Sequence, residues 1–571
     1  MIFDLFDNDY DEDGFRTCNV TGMSIHRSVE NPVKVFGLTA VVALVVGGFF
    51  AIGVALTRWE FVGLLGPEEF YRWLSLHAWN LLIFWMVFLE IAILYVGGPM
   101  VLGRRLPIPK IAKVGWGTMV TGALVINYAI WTTEAPNQAP LLTSYAPLPS
   151  SPYFYAGAII FILGSVVAAL PFFVSLWQEK SWGEGGSLPL VTFGAFVTSI
   201  IAVEALLGGL AVMVYAFLWR IEILESIDAA VYRQVFWIIG HGTQQINLVA
   251  MVTVWYFLTH IVGGAEVVSE KVSRTAFVLY IFFINLGAAH HLLSDPVVSV
   301  SWRIWNASYA FYGATLASLI HAFAIPAGIE AGRRRRGKGG GLFGWLTNAP
   351  WKNPVFSATI FSIILFGFVG GITGVVMGQV QLNMTWVRTL ATVGHFHGTV
   401  ALGTTIAFMG LVYFVIRTMF MREFRFGRLA SLQPYLYAAT MTAATLMLMY
   451  IGLLYGVPRR IHSVVRDIPG TDFSLSAAEP LMMIFGVFAL LAIISGAAFV
   501  VVALASVLFG EKKVPGSDLV PDGGVDFESD EPVHKFDMRG TFVITLIFLG
   551  AFIVVYIANW YLLSQLWSIG P

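Results

Sequence analysis

Long apolar stretches separated by short polar loops dominate this chain of 571 residues. A window of about twenty apolar residues is what a helix needs to cross a bilayer. Such windows predict thirteen spans, near 35–57, 75–101, 112–133, 155–177, 189–218, 234–262, 274–292, 304–327, 355–378, 393–416, 434–455, 480–509 and 541–566. The pattern therefore predicts an all-α polytopic membrane protein. A polar tail (1–34) precedes a twelve-helix core (35–509). A polar loop (510–540) and a thirteenth helix with the C-terminus (541–571) follow.

Composition agrees: 57% of residues are hydrophobic and 12% charged, a balance foreign to soluble domains. The formal net charge of -1 gives no footprint for nucleic acid. Cys18 is the single cysteine, which excludes internal disulfides, a cysteine-rich zinc site and a copper centre bridged by two cysteines of this chain. The acidic start, MIFDLFDNDYDEDGF, does not read as a cleaved signal peptide. Loops after even-numbered spans, with the tail, hold 24 of the 33 lysines and arginines. That asymmetry places the N-terminus in the cytoplasm and explains the run RRRRGK at 333–338 without nucleic acid.

Six histidines stand in these spans: His77, His241, His290, His291, His395 and His397. An imidazole in lipid is costly to leave unsatisfied. His395 and His397 are two residues apart, about 200° around a helix, so they face opposite sides and suit two separate cofactors. The adjacent His290 and His291 lean toward one site only if their helix end is distorted, and Pro296 is the expected stop. His241, flanked by Gly240 and Gly242, is placed to complete a three-imidazole site for copper or iron.

Histidine on span 2, histidine on span 6, HH on span 7 and HxH on span 10 resemble the catalytic subunit of the haem-copper oxidase and nitric oxide reductase superfamily. The segment GVPRRIHSV (456–464) resembles that family's arginine pair. The resemblance implies a low-spin haem on His77 and His397, and a high-spin haem on His395. It implies a non-haem metal, Fe or Cu, on His241, His290 and His291, with Arg459 and Arg460 on haem propionates. It also implies electrons from a partner subunit with a copper or cytochrome c domain, or from quinol, in the cell membrane.

Most oxygen reductases of that family carry a tyrosine one turn after the span-6 histidine; a second class carries it six residues before HH. Those positions are Gln245 and Ile284 here. Common nitric oxide reductases carry glutamate at the first position. Gln245 keeps that side chain's length and carbonyl oxygen but loses its charge and proton; it resembles less studied reductase classes, the e-type among them, and is a further candidate metal ligand. Gln244 points about 100° away. The expected substrate is nitric oxide, with O2 as the alternative and Tyr280 or Tyr309 as a substitute donor. A haem-carrying conduit or a transporter is a third reading. On span 8, Ser308, Tyr309, Tyr312, Thr315 and Ser318, then His321, form a polar stripe read as a proton path or as hydroxyl-lined packing. Glu90 and Glu204 are intramembrane carboxyls, functional candidates by default.

Overall fold

The computed structural model describes residues 6, 8–18, 20–134, 149–182, 186–284, 288–295, 298–464, 474–512 and 537–566. The predicted spans appear as helices in the predicted order. They are α1 (Arg27–Arg58), α2 (Pro67–Met100), α3 (Pro109–Thr132), α4 (Pro152–Lys180), α5 (Leu190–Arg220) and α6 (Ala229–Gly263). Next comes α7 (Glu270–Leu279), prolonged by a π-turn at Tyr280–Ile284. Then follow α8 (Val300–Arg335), α9 (Pro354–Met377), α10 (Leu390–Thr418), α11 (Gly427–Tyr455) and α12 (Ser476–Phe509), and α13 (Arg539–Leu566). Eleven of these, all but α7 and α13, are long and apolar enough among the described residues to cross a membrane. The expected stop at Pro296 and most of the loop 510–540 lie outside the described residues.

The polar tail is shorter than its composition implies. A hairpin of β1 (Phe15–Thr17) and β2 (Ser24–His26) pairs Phe15 with His26, Arg16 with Ile25 and Thr17 with Ser24. His26 then caps α1, its ring accepting from the Ser28 N–H at 3.0 Å, so the helix starts before the apolar run. The buried Glu30 on that first turn accepts from Arg16 at 2.7 Å and pairs with Lys34 at 3.0 Å, while Arg16 also donates to the Thr418 carbonyl. The charges that delay the hydropathy signal are thus neutralised against the end of α10.

Burial separates the helices by task. The apolar windows of α2, α6 and α10 are 78%, 89% and 89% buried inside the protein, against 22–56% for the others. The inner three carry His77, His241, and His395 with His397. Close packing around them depends on small residues. A Cβ added to Gly242 would stand 2.6 Å from the Ala205 Cβ, so α6 approaches α5 through that glycine. Gly240 instead abuts Phe236 and Trp237 of its own helix.

Candidate metal and haem centre

One cavity of about 1320 Å³ runs through the helix core, and all six histidines line it. That exceeds the roughly 300–1,000 Å³ of ordinary small-molecule sites. His241, His290 and His291 offer ring nitrogens that all lie within 4.8 Å of one another, the only such cluster of His, Cys, Asp or Glu among the described residues. His291 Nε2 is 2.8 Å from His241 Nδ1, and the His241 and His290 rings are 4.1 Å apart. The distortion expected at the HH pair is a 3-10 turn, Ala288–Leu292, which brings the two rings to 4.2 Å. Trp237, one turn before His241, stacks on His291 at 4.0 Å and 8°. Its i, i+4 spacing from His241 was a usable signal. Just beyond the pair, Asp295 accepts from Arg233 at 2.6 Å, tying the turn to the start of α6.

The other three imidazoles are held apart. His77 Nδ1 faces the Gly47 carbonyl at 3.1 Å, and His397 Nδ1 the Val393 carbonyl at 2.8 Å. A carbonyl can only accept, so each Nδ1 carries the proton and each Nε2 keeps a lone pair for a metal. His395 Nδ1 meets the Thr373 hydroxyl at 3.0 Å. Gly374 makes that possible, because a Cβ there would press within 3.0 Å of the His395 ring. His397 interacts electrostatically with His77 and Arg58, whereas His395 does so with His290 and His241. The two histidines of the HxH pair thus face different neighbours, His395 toward the imidazole triad and His397 toward His77. A π-helical run, His397–Thr405, begins at the second histidine, a feature common at functional sites.

Arg58, Arg233, Arg388, Arg459 and Arg460 line the cavity; Arg58 ends α1, Arg233 lies near the start of α6, Arg388 just precedes α10, and Arg459 and Arg460 follow α11. The Arg459 N–H donates to the Arg388 carbonyl at 2.9 Å, and Leu390, the first residue of α10, donates to the Val457 carbonyl at 2.8 Å. The arginine pair is thereby clipped to the helix that carries His395 and His397. Arg58 donates to the Arg459 carbonyl at 2.7 Å and Tyr71 to the Arg460 carbonyl at 2.6 Å. Arg58 and Thr373 had no sequence signal, because neither shares a motif with the ligands. An apolar cavity lined by separately held imidazoles, with guanidinium donors at one end, fits two planar iron macrocycles bearing carboxylates. The triad fits a further transition-metal ion.

Gln245 is 2% exposed and lines the cavity one turn after His241. Gln244 lines it too; the cavity is wide enough to reach both faces. The span-8 stripe is only partly as expected. Thr315 and Ser318 line the cavity, but Tyr309 is 71% exposed and Tyr312 is exposed as well. A π-turn at Asn306–Ala310 displaces Tyr309. Its extra residue breaks the α-helical spacing that the stripe assumed upstream of Phe311. Ser308 bonds back to the Ile304 carbonyl of its own helix. Tyr280, buried and lining the cavity, meets Ser318 at 3.0 Å. Buried His321 meets Tyr256 at 3.0 Å, and Tyr256 donates to Ser273 at 3.0 Å. Glu204 faces outward, whereas Glu90 is 4% exposed.

Comparison with known proteins gives the family. The family described as "Cytochrome C and Quinol oxidase polypeptide I" matches residues 31–491. The chain is 29% identical over 486 residues to cytochrome c oxidase subunit 1 of Thermus thermophilus, covering 83% of this chain and 84% of that protein. It is 24% identical over 462 residues to cytochrome c oxidase subunit 1 of Bacillus subtilis, covering 74% and 68%. A solved haem-copper terminal oxidase dimer superposes with a TM-score of 0.79 over 89% of each chain, at 23% identity, and so shares the fold. The chain belongs to the cytochrome c and quinol oxidase polypeptide I family, the multi-pass subunit I of haem-copper respiratory oxidoreductases.

Proposed function

We propose that this protein reduces nitric oxide to nitrous oxide, joining two NO with two electrons and two protons to give N2O and water. The carrying observation is Gln245, buried on the cavity wall one turn from His241. A carboxamide supplies neither the electron nor the acidic proton that a tyrosine there would give to O–O cleavage. N–N coupling needs no such donor residue at this position.

His241, His290 and His291 would hold the non-haem metal, Fe or Cu, with Gln245 offering its amide oxygen beside them. His395 would bind the high-spin haem, His77 and His397 the low-spin haem, and Arg459 with Arg460 the propionates. When bound, these groups supply electron transfer and the metal pair at which a diatomic substrate is reduced. The chain's own part is to fix their separation, exclude water with apolar walls and deliver protons. Ser273, Tyr256 and His321 form one hydroxyl–imidazole chain, and Tyr280 with Ser318 and Thr315 carries the same side of the cavity upward. Tyr280 lies 5.5 Å from the His321 ring, so the two segments adjoin. With the arginine run at 333–336 cytoplasmic, this route draws protons from the cytoplasm. Electrons enter from a copper or cytochrome c domain of a partner, or from quinol.

Oxygen reduction is the second reading. The relatives bear oxidase names, and Tyr280 is buried on the cavity wall where a donor would be useful; exposed Tyr309 is not. Turnover of NO and O2 on one purified sample, with N2O quantified, separates the two. NO consumption with N2O release well above O2 consumption is expected; rapid O2 reduction without N2O overturns the proposal.

A further inference from the structure

The proton route above uses one side of α6, and a second buried polar group lies on the other. Glu90, on α2, is 4% exposed, and its Oε1 has no hydrogen-bond partner among the described residues. Asn247, on α6, is 2% exposed, and its Nδ2 likewise has none. Asn247 stands about 200° around α6 from Gln245, so it faces away from the imidazole triad.

Close helix approaches fix the depth of both. Gly97 of α2 meets Ala195 of α5, where an added Cβ would come within 2.9 Å; Gly242 of α6 meets Ala205 in the same way at 2.6 Å. Counting from these crossings, Glu90 and Gln245 both lie level with Ala202 of α5. Asn247 is two residues further on, about 3 Å along the axis. The α2, α5 and α6 helices all pack on one another.

The face of α5 that meets α2 carries Ala195. Helical spacing puts Thr192, Thr198 and Ser199 on that same face, at i-3, i+3 and i+4. All three are buried. Thr198 and Ser199 donate to their own helix at the Gly194 and Phe196 carbonyls, which leaves their oxygens free to accept a proton donor. This hydroxyl face leads from the arginine-run end of the bundle to the level of Glu90.

We propose that Glu90, with Asn247, is a second proton-exchange site between α2, α5 and α6, separate from the Tyr256–His321 route. The carboxyl O–H bond breaks to leave a carboxylate and re-forms with a proton drawn along the Thr192–Ser199 face. No electron is transferred at Glu90. A lone carboxylate in an apolar interior is costly, so the neutral acid is the resting form. Charge added to the centre on the far side of α6 then perturbs its proton through a low-dielectric wall. Glu90 would serve in this way with either NO or O2 as the substrate.

Redox-induced infrared difference spectra of the holoenzyme test it. A carboxylic C=O band is expected in the wild type, absent in Glu90→Gln and shifted in Asn247→Leu, with proton uptake on reduction lowered in Glu90→Gln. The haem optical spectrum of each variant should match wild type, which establishes an intact fold. If Glu90→Gln does not assemble, a displaced C=O band in Glu90→Asp serves in its place. Unchanged carboxyl bands and unchanged proton uptake in the assembled variants overturn the proposal.

Discussion

The six histidines divide into two groups that solve the burial of an imidazole differently. In His241, His290 and His291 the ring nitrogens point at one another, within 4.8 Å. In His77, His395 and His397 one nitrogen of each is tied to a carbonyl or a hydroxyl of the protein. The first arrangement suits one small ion shared by three ligands. The second would suit single ligands to large planar groups, because a fixed tautomer leaves one aimed lone pair. The same residue type thus sits in two kinds of surroundings: ring nitrogens facing other imidazoles, or Nδ1 held by the protein's own oxygen atoms.

The comparison breaks most visibly if a member of one group is lost. His290→Ala should remove the non-haem metal and lower turnover by more than about 100-fold, beyond the effect of outer partners, while the low-spin haem spectrum persists. His397→Ala should do the reverse, abolishing the low-spin signal with metal content retained. Elemental analysis and optical spectra of the pair check this; loss of both signals in either variant would show that the two groups are one cooperative site. Next in size is Gln245. Gln245→Leu should cut NO turnover by about 10–100-fold, as loss of a metal-adjacent polar partner does, and Gln245→Glu should be tolerated better. Equal activity of the two variants would remove Gln245 from the chemistry.

Thr373→Val tests the second group's device. Without the hydroxyl, His395 loses its orienting partner, and activity should fall about tenfold, with a changed iron–histidine vibration and unchanged non-haem metal. A smaller, purely structural effect is expected at Glu330. It is fully buried and accepts from the Gly540 and Thr541 backbone at 2.9 and 2.6 Å, which fixes the start of α13. Glu330→Ala should cost about 1–3 kcal/mol for the unsatisfied N–H groups and expose α13 to protease. Its two haem spectra should stay intact, because α13 carries none of the six histidines.

Much of this was legible beforehand. Apolar windows locate helices because lipid forces each spanning segment to satisfy its own backbone. The 200° between His395 and His397 needed only helix geometry. Local irregularity was not legible. The π-turn at Asn306–Ala310 turned Tyr309 outward, and hydropathy carries no trace of such a turn. Glu90 and Glu204 read alike along the chain, yet one is buried and the other faces out. Which side of a helix meets protein depends on its neighbours.

The sequence by itself determined the helices, their order and the candidate ligands, since these follow from local hydrophobicity and fixed helical angles. Only the tertiary structure decided which nitrogen of each imidazole is engaged and which cations gather at the cavity's end. It alone also placed Arg58, Thr373 and Tyr256 beside residues far away in the chain. Those are contacts between helices, set by packing at small residues such as Gly242 and Gly374, and no single helix encodes them.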